Sequence, residues 1–500
     1  MNGETPASDR KMLSDVGKMA SASAAAQLVT VAGGLALARI LGVEFYGLWK
    51  TVQLAVTYTA FANFGATYGL SRLSPAVYSG GRTRLYHRMM GASLAVSWLM
   101  GGGIARMFLG FAWEAGGGPW ATAAAALAIL CAIQPFAMHG ETALVVEKRF
   151  GANARVLLGS TVVRVAFSIG AAWAAGLAGA LLVYIVVYGL TAVWMARIVS
   201  ARLKPVVSMD LWRKVARVGA PIMLLASGEV LLTTADKWIV VAALGAEAMS
   251  LYQMAIFPLP FLLLIPVNLR HVVTVDVYDK FGRTGELSEC RGVFQTALLG
   301  VALGTPWLIG GVYYGMPWLV TRLLPEYQAA TPTLLLHTIL VFPILAVQAA
   351  YPIVVVAKRR KEILLVIVAL TLIAAAASLL AIESYGAGIR EVLAFQAAAW
   401  LLASFWTIAR SLYWTGSSVP RAVVRSLLYL SPMAGLAIAL PLVSYFVVQW
   451  GFIEFTLAHG LVCGVVFTAL CLPLFAVLER ETKGVSFFLR KLRRFLPASN

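Results

Sequence analysis

The sequence has little charge. Only 12% of its 500 residues are Asp, Glu, Lys or Arg, while 60% are hydrophobic and the mean hydropathy is +0.82. A chain with so few charged side chains has too little polar surface to cover a soluble domain of this size. The composition therefore predicts a polytopic membrane protein.

The motifs of common catalytic and nucleotide-binding sites are also missing. The chain has no GxxxxGK[ST], HExxH or GxSxG, and its five histidines are scattered without metal-ligand spacing. Its four cysteines form no CxxC pair, so we interpret them as small core residues or a loop thiol: Cys131, Cys290, Cys463 and Cys471. We expect no metal, no cofactor and no enzymatic activity.

Polar segments are short as well. Residues 1–19 are polar and precede the first apolar run, so they do not resemble a cleavable signal peptide, and we expect the first span to act as its own insertion signal. The loops predicted to lie outside are brief, and only residues 316–331 have any length. They leave no room for an extramembrane enzyme domain.

Long apolar runs separated by Gly, Pro and charge predict an all-α fold of about fourteen transmembrane helices. Their ranges are 20–42, 46–70, 89–111, 119–143, 154–176, 178–199, 217–243, 247–269, 292–315, 331–355, 362–382, 389–409, 424–448 and 455–478.

The distribution of Lys and Arg tests this division of the chain into spans and loops. With a cytoplasmic N-terminus, all but seven of the 40 Lys and Arg residues fall in segments predicted to be cytoplasmic. This alternation predicts a multi-pass protein of the cell membrane with both termini in the cytoplasm. It also explains the excess over the 22 Asp and Glu residues without nucleic acid, which we do not expect as a partner.

An internal repeat follows the sixth predicted span. Leu41-Gly42-Val43-Glu44 recurs as Leu244-Gly245-Ala246-Glu247, and residues 77–83 are echoed by residues 277–284. Because six spans separate the copies, the two halves enter the membrane in the same direction. Parallel repeats of this kind are found in transporters that expose a substrate to each side in turn.

The repeat gives the predicted organisation. It comprises a cytoplasmic N-terminus (1–19), a first six-helix bundle (20–199), a cytoplasmic linker (200–216), a second six-helix bundle (217–409), two appended helices (410–479) and a basic amphipathic tail (480–500). In residues 485–496, apolar and basic side chains occupy opposite helical faces, which favours a helix on anionic inner-leaflet lipid over a frayed tail.

Basic residues inside the spans are the candidate binding residues. Lys50, Arg106, Arg164 and Lys237 lie in otherwise apolar stretches, where a charge is costly and tends to face water or a bundle interior. Such a cationic cavity between the halves would suit an anionic substrate, since Lys and Arg form charge-assisted bonds to phosphate. The alternative is that Arg106 and Arg164 reach the membrane surface by snorkelling.

Two acidic residues occupy the seventh span. Glu229 and Asp236, with Thr233, are spaced to share one helical face, so both carboxylates are candidates for a coupling-ion site. Asp236 also precedes Lys237, and the two would then form a structural ion pair. The sequence leaves both interpretations open.

Several stretches resemble one family. Residues 39–48, 219–240, 244–252 and 324–332 resemble polysaccharide flippases of the O-antigen (Wzx) type, which belong to the multidrug/oligosaccharidyl-lipid/polysaccharide exporter superfamily. The resemblance implies two six-helix bundles around a cationic cavity and the translocation of an undecaprenyl-diphosphate-linked oligosaccharide from the inner to the outer leaflet. It assigns substrate binding to Lys50, Arg106, Arg164 and Lys237, with Arg39 and Arg270 as secondary candidates.

The same resemblance implies a role in surface polysaccharide biosynthesis, with a polysaccharide polymerase and glycosyltransferases as partners. Two alternatives remain. A cation-coupled multidrug exporter of the same superfamily would favour acidic pockets for cationic drugs, whereas the basic charge here exceeds the acidic. An envelope polymerase or glycosyltransferase would need a large loop domain, for which the sequence has no room.

Overall fold

The computed structural model describes residues 6–200 and 203–449, together with 462, 465, 466 and 469. It describes side chains from residue 21 onward, except those of residues 225, 229, 232, 264, 265, 268, 271, 272, 275 and 446–449. Most of the predicted fourteenth span, Cys463, Cys471 and the predicted basic tail lie outside the described residues.

In that part of the chain the structure consists of helices and contains no strand. The α-helices are α1 (Pro6–Thr59), α2 (Ala66–Ser79), α3 (Thr83–Glu114), α4 (Gly118–Val146), α5 (Phe150–Ile198), α6 (Met209–Ile239), α7 (Gly245–Ala255), α8 (Leu259–Thr284), α9 (Arg291–Leu323), α10 (Thr331–Leu340), α11 (Phe342–Val356), α12 (Arg360–Tyr385), α13 (Ile389–Trp414) and α14 (Val419–Gln449). A π-helical turn (Val240–Leu244) follows α6, and 3₁₀ turns precede α9 (Leu287–Cys290) and α10 (Pro325–Ala330).

Ten helical stretches of the described residues are long and apolar enough to cross a membrane. The predicted all-α, multi-pass membrane class is therefore confirmed. The total of fourteen crossings stays a prediction, because residues 455–478 are mostly outside the described part. Cys131 and Cys290 are buried, as expected of small core residues.

The helix α1 folds back on itself at Gly42. A Cβ on Gly34 would lie 3.4 Å from the Tyr46 hydroxyl, although twelve residues of straight helix would place these positions roughly 18 Å apart. Gly42 has φ 71° and ψ 179°, so the predicted spans 20–42 and 46–70 meet at this residue.

The helix α5 is a second hairpin. The Arg149 guanidinium, just before its first residue, donates a 2.6 Å hydrogen bond to the Ile198 carbonyl at its end. A straight helix of 49 residues would separate these ends by roughly 73 Å. The non-helical pair Ala175 and Gly176 makes the turn, between the predicted spans 154–176 and 178–199.

The repeat found in the sequence has a backbone counterpart. Gly245, which matches Gly42, has φ 89° and ψ −176°. Positive φ with extended ψ is essentially restricted to glycine, because a Cβ would clash with the backbone. Both copies of the Leu-Gly motif therefore place a glycine where the first two spans of a half meet.

The sequence comparison missed a second pair of similar segments, one in each half of the chain. Residues 145–149 (VVEKR) and 355–359 (VVAKR) end α4 and α11, and their lysines, Lys148 and Lys358, have φ 56° and 57°. In each copy the amide of the following arginine bonds a carbonyl five residues earlier, at 2.8 Å and 3.2 Å. These are the same left-handed helix caps.

Three predicted spans contain interruptions. The span 46–70 was predicted as one helix, but α1 ends at Thr59 and α2 begins only at Ala66, because Phe64 and Gly65 adopt positive φ. The span 247–269 is broken between α7 and α8, and the span 331–355 between α10 and α11. Pro258, Pro260 and Pro343 lie at the starts of the new helices, where the missing N–H is tolerated.

By its internal contacts the chain forms two compact units, residues 1–234 and 235–500. In the first unit, α6 packs closely on α2. A Cβ on Gly219 would meet the Gly65 carbonyl oxygen and would lie 2.5 Å from the Gly69 amide nitrogen. Because both obstacles are backbone atoms, this contact requires glycine at position 219.

The Glu147 side chain connects three helices at one end of the first unit. It is fully buried, accepts hydrogen bonds from the Tyr86 hydroxyl (3.2 Å) and the Ser200 amide (2.9 Å), and forms a 3.3 Å ion pair with Arg149. Arg149 in turn donates to the Ser200 hydroxyl at 3.0 Å. The carboxylate thus connects α3, the end of α4 and the end of α5.

The Gly219 contact predicts a steric penalty. Gly219→Ala should destabilise the protein by about 1–3 kcal/mol, since the added methyl group forces two backbones apart. Gly304→Ala is the matched control, because this helical glycine has open space around its Cβ position. Thermal unfolding in detergent measures both, and equal melting temperatures for the two variants would contradict the packing described.

The Glu147 network predicts a second loss of stability. Glu147→Ala should cost about 1–3 kcal/mol, because it leaves the buried Tyr86 hydroxyl and the Ser200 amide without their acceptor. Glu114→Ala, an exposed position at the end of α3, should leave the melting temperature unchanged. A Glu147→Ala variant as stable as the wild type would show that the network is dispensable.

Candidate functional site

Lys50 lies on the second arm of α1 and is half-buried. Its ammonium donates a 3.3 Å hydrogen bond to the Gln53 side-chain oxygen and lies 5.2 Å from the centre of the Tyr46 ring. The ring face carries partial negative charge, which stabilises a cation that has lost part of its hydration shell.

Arg164, on the first arm of α5, is also half-buried. Its guanidinium lies 5.4 Å from the centre of the Tyr184 ring on the second arm. Tyr184 packs edge-on against Trp49 at 5.4 Å, the residue before Lys50, and contacts Tyr188 at 6.1 Å. The structure therefore places Arg164 in an aromatic group where α1 packs on α5, whereas Lys50 lies over a different ring, that of Tyr46.

Arg39 and Arg106 do not join this group. Arg39 is exposed on the first arm of α1. Arg106 is exposed on α3, where Met107 and Trp113 are also 73% and 87% exposed. Among the described residues neither guanidinium has a hydrogen-bond or ion-pair partner. Both remain candidates without a structural partner to position them.

Asp236 is buried near the end of α6, and the Tyr252 hydroxyl of α7 donates a hydrogen bond to its carboxylate. Sixteen residues of straight helix would separate these positions by roughly 24 Å, so the bond joins the two arms of a hairpin that turns at Gly245. The second carboxylate oxygen of Asp236 is buried and has no hydrogen-bond partner among the described residues.

Lys237 is half-buried beside Asp236. It lies near enough to the buried His337 of α10 for electrostatic interaction. Consecutive helical positions do not face each other, so Lys237 and Asp236 point to different neighbours. Glu229 lies on α6, but its side chain is outside the described set.

Arg270 is held by α11. Its guanidinium donates a 2.7 Å hydrogen bond to the Gln348 side-chain oxygen and lies 5.1 Å from the centre of the Tyr351 ring. Arg360, at the start of α12, approaches the same ring at 5.7 Å. Arg270 and Arg360 thus both lie near the Tyr351 ring in the second unit.

The repeat shows how the two halves differ. At the offset of 203 residues, Gly33 and Gly34 correspond to Asp236 and Lys237, whereas Trp49 and Lys50 correspond to Tyr252 and Gln253. The first unit therefore carries its charge on the second arm of the hairpin, and the second unit carries it on the first arm. The small glycines permit close packing: a Cβ on Gly33 would meet the Val165 side chain.

The residues that contact these charges were not predicted from the sequence. Tyr184, Tyr252, Gln348 and Tyr351 each come from a helix distant in sequence or across a turn from the charge that they contact. Aromatic residues are common in membrane spans, so composition does not single them out. For metals, the described residues contain no cluster of three His, Cys, Asp or Glu side chains.

No family model matches the chain, and no curated protein matches it in sequence. Solved structures do resemble it. The structure described as lipid II flippase MurJ in an inward closed conformation superposes with a TM-score of 0.67 at 12% identity, covering 93% of this chain and 99% of that one.

Two transporters of the MOP superfamily are also similar. An inward-facing multidrug resistance MATE family transporter gives a TM-score of 0.60 at 14% identity and covers 79% of this chain and 96% of that one. A Pyrococcus furiosus transporter, whose description notes a binding pocket of reverse polarity, gives 0.53 at 14% identity, with 80% and 95% covered. At these identities the likeness establishes the fold that the chain shares with MOP superfamily transporters.

The Asp236 contact predicts that the Tyr252 hydroxyl stabilises the second hairpin. Tyr252→Phe should cost about 1–3 kcal/mol, since it removes the donor from a buried carboxylate. Tyr385→Phe, at a side chain that is 66% exposed, is the matched control and should be neutral. Thermal unfolding in detergent distinguishes them, and a neutral Tyr252→Phe would rule out a structural role for this bond.

Proposed function

We propose that the chain is a flippase that moves an undecaprenyl-diphosphate-linked oligosaccharide from the inner to the outer leaflet by alternating access. The observation that carries the proposal is a set of half-buried cations: Lys50, Arg164 and Lys237 within predicted spans, and Arg270 just beyond the span 247–269. Guanidinium and ammonium groups form strong hydrogen bonds with phosphate oxygens. A diphosphate is therefore the chemistry that these groups suit best.

The contacts of the cations support this role. Lys50, Arg164 and Arg270 lie over tyrosine rings, and Lys50 and Arg270 donate hydrogen bonds to the neutral amides of Gln53 and Gln348. Neutral partners hold a basic side chain in place without cancelling its charge. Lys50 and Arg270 thus keep their attraction for an anionic ligand.

The extent of the fold likeness favours a flippase over the main alternative. The lipid II flippase covers 93% of this chain, whereas the multidrug transporter covers 79% and leaves about a fifth unmatched. A cation-coupled multidrug exporter would also be served by acidic pockets, and the buried carboxylate of Asp236 is the observation that keeps this second function in view.

The proposal places the protein in the cell membrane with both termini in the cytoplasm, acting without catalysis of its own. Glycosyltransferases would build the lipid-linked substrate and a polymerase would consume it. The two-bundle organisation, the linker 200–216 and the membrane-bound basic tail belong to the same proposal. Glu229 and Asp236 are its candidate coupling-ion residues. Glycosyl transfer by the purified protein would contradict it.

Neutralising the cations tests the proposal. In a host that lacks its own flippase, Arg164→Gln and Lys237→Gln should each reduce export of surface polysaccharide by about 10–100-fold, the value of one lost charge-assisted hydrogen bond. Lipid-linked oligosaccharide should accumulate at the same time. Immunoblots of membrane fractions confirm equal protein abundance.

Two exposed basic residues on the same helices serve as controls. Arg197→Gln on α5 and Lys214→Gln on α6 should export normally. Wild-type export from both test variants would reject these binding residues. If the wild-type chain restores no export but lowers drug accumulation, the multidrug exporter is the better assignment.

A further inference from the structure

A buried polar cavity lies inside the first unit, where the break between α1 and α2 meets α3 and the proline-containing helix α4. Its wall includes Asn63 from the turn after α1, Ser97 and Gly101 from α3, and Gln134 and His139 from α4. The turn 60–65 breaks one helix, and Pro135 removes a backbone donor from the other. Asn63, Gln134 and His139 are 4%, 5% and 0% exposed.

A hydrogen bond determines which ring nitrogen of His139 carries the proton. Its Nδ1 lies 2.7 Å from the Pro135 carbonyl oxygen, which can only accept, so Nδ1 carries the proton. In the neutral ring Nε2 is then a bare acceptor. It is buried and has no hydrogen-bond partner among the described residues.

Asn63 presents a second acceptor. Its side-chain amide donates to the Ala60 carbonyl (2.9 Å) and to the Thr67 hydroxyl (3.2 Å), which uses both N–H groups and fixes the orientation of the amide. Its Oδ1 is buried, and the described residues supply no donor to it. A buried polar atom without a partner is costly.

A backbone carbonyl adds to this excess of acceptors. Pro135 has no N–H, so the Cys131 carbonyl lacks its regular helical donor. A Cβ on Gly101 would lie 2.5 Å from this oxygen, and glycine there lets α3 approach it. Two donors nearby are engaged elsewhere, since one N–H of Gln134 bonds the Val56 carbonyl at 2.9 Å and the Ser97 hydroxyl bonds the Ser93 carbonyl at 2.8 Å.

We propose that this cavity binds one water molecule, which donates hydrogen bonds to Asn63 Oδ1 and His139 Nε2 and so joins the turn 60–65 to α4. The space open to the centre of a water molecule is about 10 Å³, the size of a single-water site. Water supplies two donors, as the two orphaned acceptors require.

Other small ligands fit less well. Among the described residues, the lining contains no Asp, Glu, Lys or Arg, and its titratable side chains are those of Cys131 and His139. A metal cation would lack a carboxylate to offset its charge, and a proton on His139 would create a buried charge without a counter-ion. Neutral water carries neither penalty. This inference concerns the fold of the first unit and stands independently of the transported substrate.

A double-mutant cycle tests whether the two acceptors share one ligand. His139→Leu and Asn63→Leu should each lower the melting temperature in detergent, because each leaves the other acceptor unpaired. The double variant should lower it by less than the sum, since it removes both acceptors together. Ser74→Ala combined with Asn63→Leu is the control pair and should be additive, because Ser74 lies elsewhere on α2.

Direct observation completes the test. A high-resolution map should show one density peak within hydrogen-bond distance of Asn63 Oδ1 and His139 Nε2. Additive single variants together with no peak would overturn the proposal. Stabilisation of the wild type by NaCl but not by choline chloride, lost in Asn63→Leu, would assign the cavity to a cation instead. A ¹⁵N shift of His139 that reports imidazolium near neutral pH would assign it to a proton.

Discussion

The structure depends on reversing the chain without exposing unpaired backbone groups to hydrocarbon. Inside a membrane every backbone N–H and C=O needs a protein partner, so the shortest reversals are the least costly. Glycines make them here: Gly42, Gly176, Gly245 and Gly386 all adopt positive φ. With such turns, successive spans pack against each other directly, and their polar side chains meet across the hairpin, as Asp236 and Tyr252 do.

The fold class could be predicted from the sequence because long apolar runs mark the segments that lie in lipid. Each predicted span from 20 to 448 contains a helical arm of the structure, and the Leu-Gly repeat marks true turns. The interruption at residues 60–65 was missed for a physical reason: this turn consists of Ala-Phe-Ala-Asn-Phe-Gly, and no charge or proline distinguishes it from helix. Its hydrogen bonds are local: the Asn63 side-chain amide donates to the Ala60 carbonyl and the Thr67 hydroxyl, and backbone amides of the turn bond carbonyls three residues earlier.

The candidate site was predictable only in part. A lysine or arginine in an apolar span stands out in the sequence because its burial is costly, so Lys50 and Arg164 could be named. What holds each of them could not be named, since Tyr184 and Gln348 are ordinary residues until tertiary packing brings them to a cation. His139, the buried histidine of α4, was not predicted as a site residue, because the spacing of the histidines suits no metal. Its hydrogen bond to the Pro135 carbonyl of its own helix becomes visible only in the structure.

The paired lysine caps have a consequence for how the chain is made. At residues 145–149 and 355–359, the left-handed turn that ends a helix is formed by a Lys-Arg pair. Under the proposed topology these loops are cytoplasmic, and basic residues are what retain a loop on that side. The same residue pair would then set both the orientation of the loop and the end of the helix, once in each half.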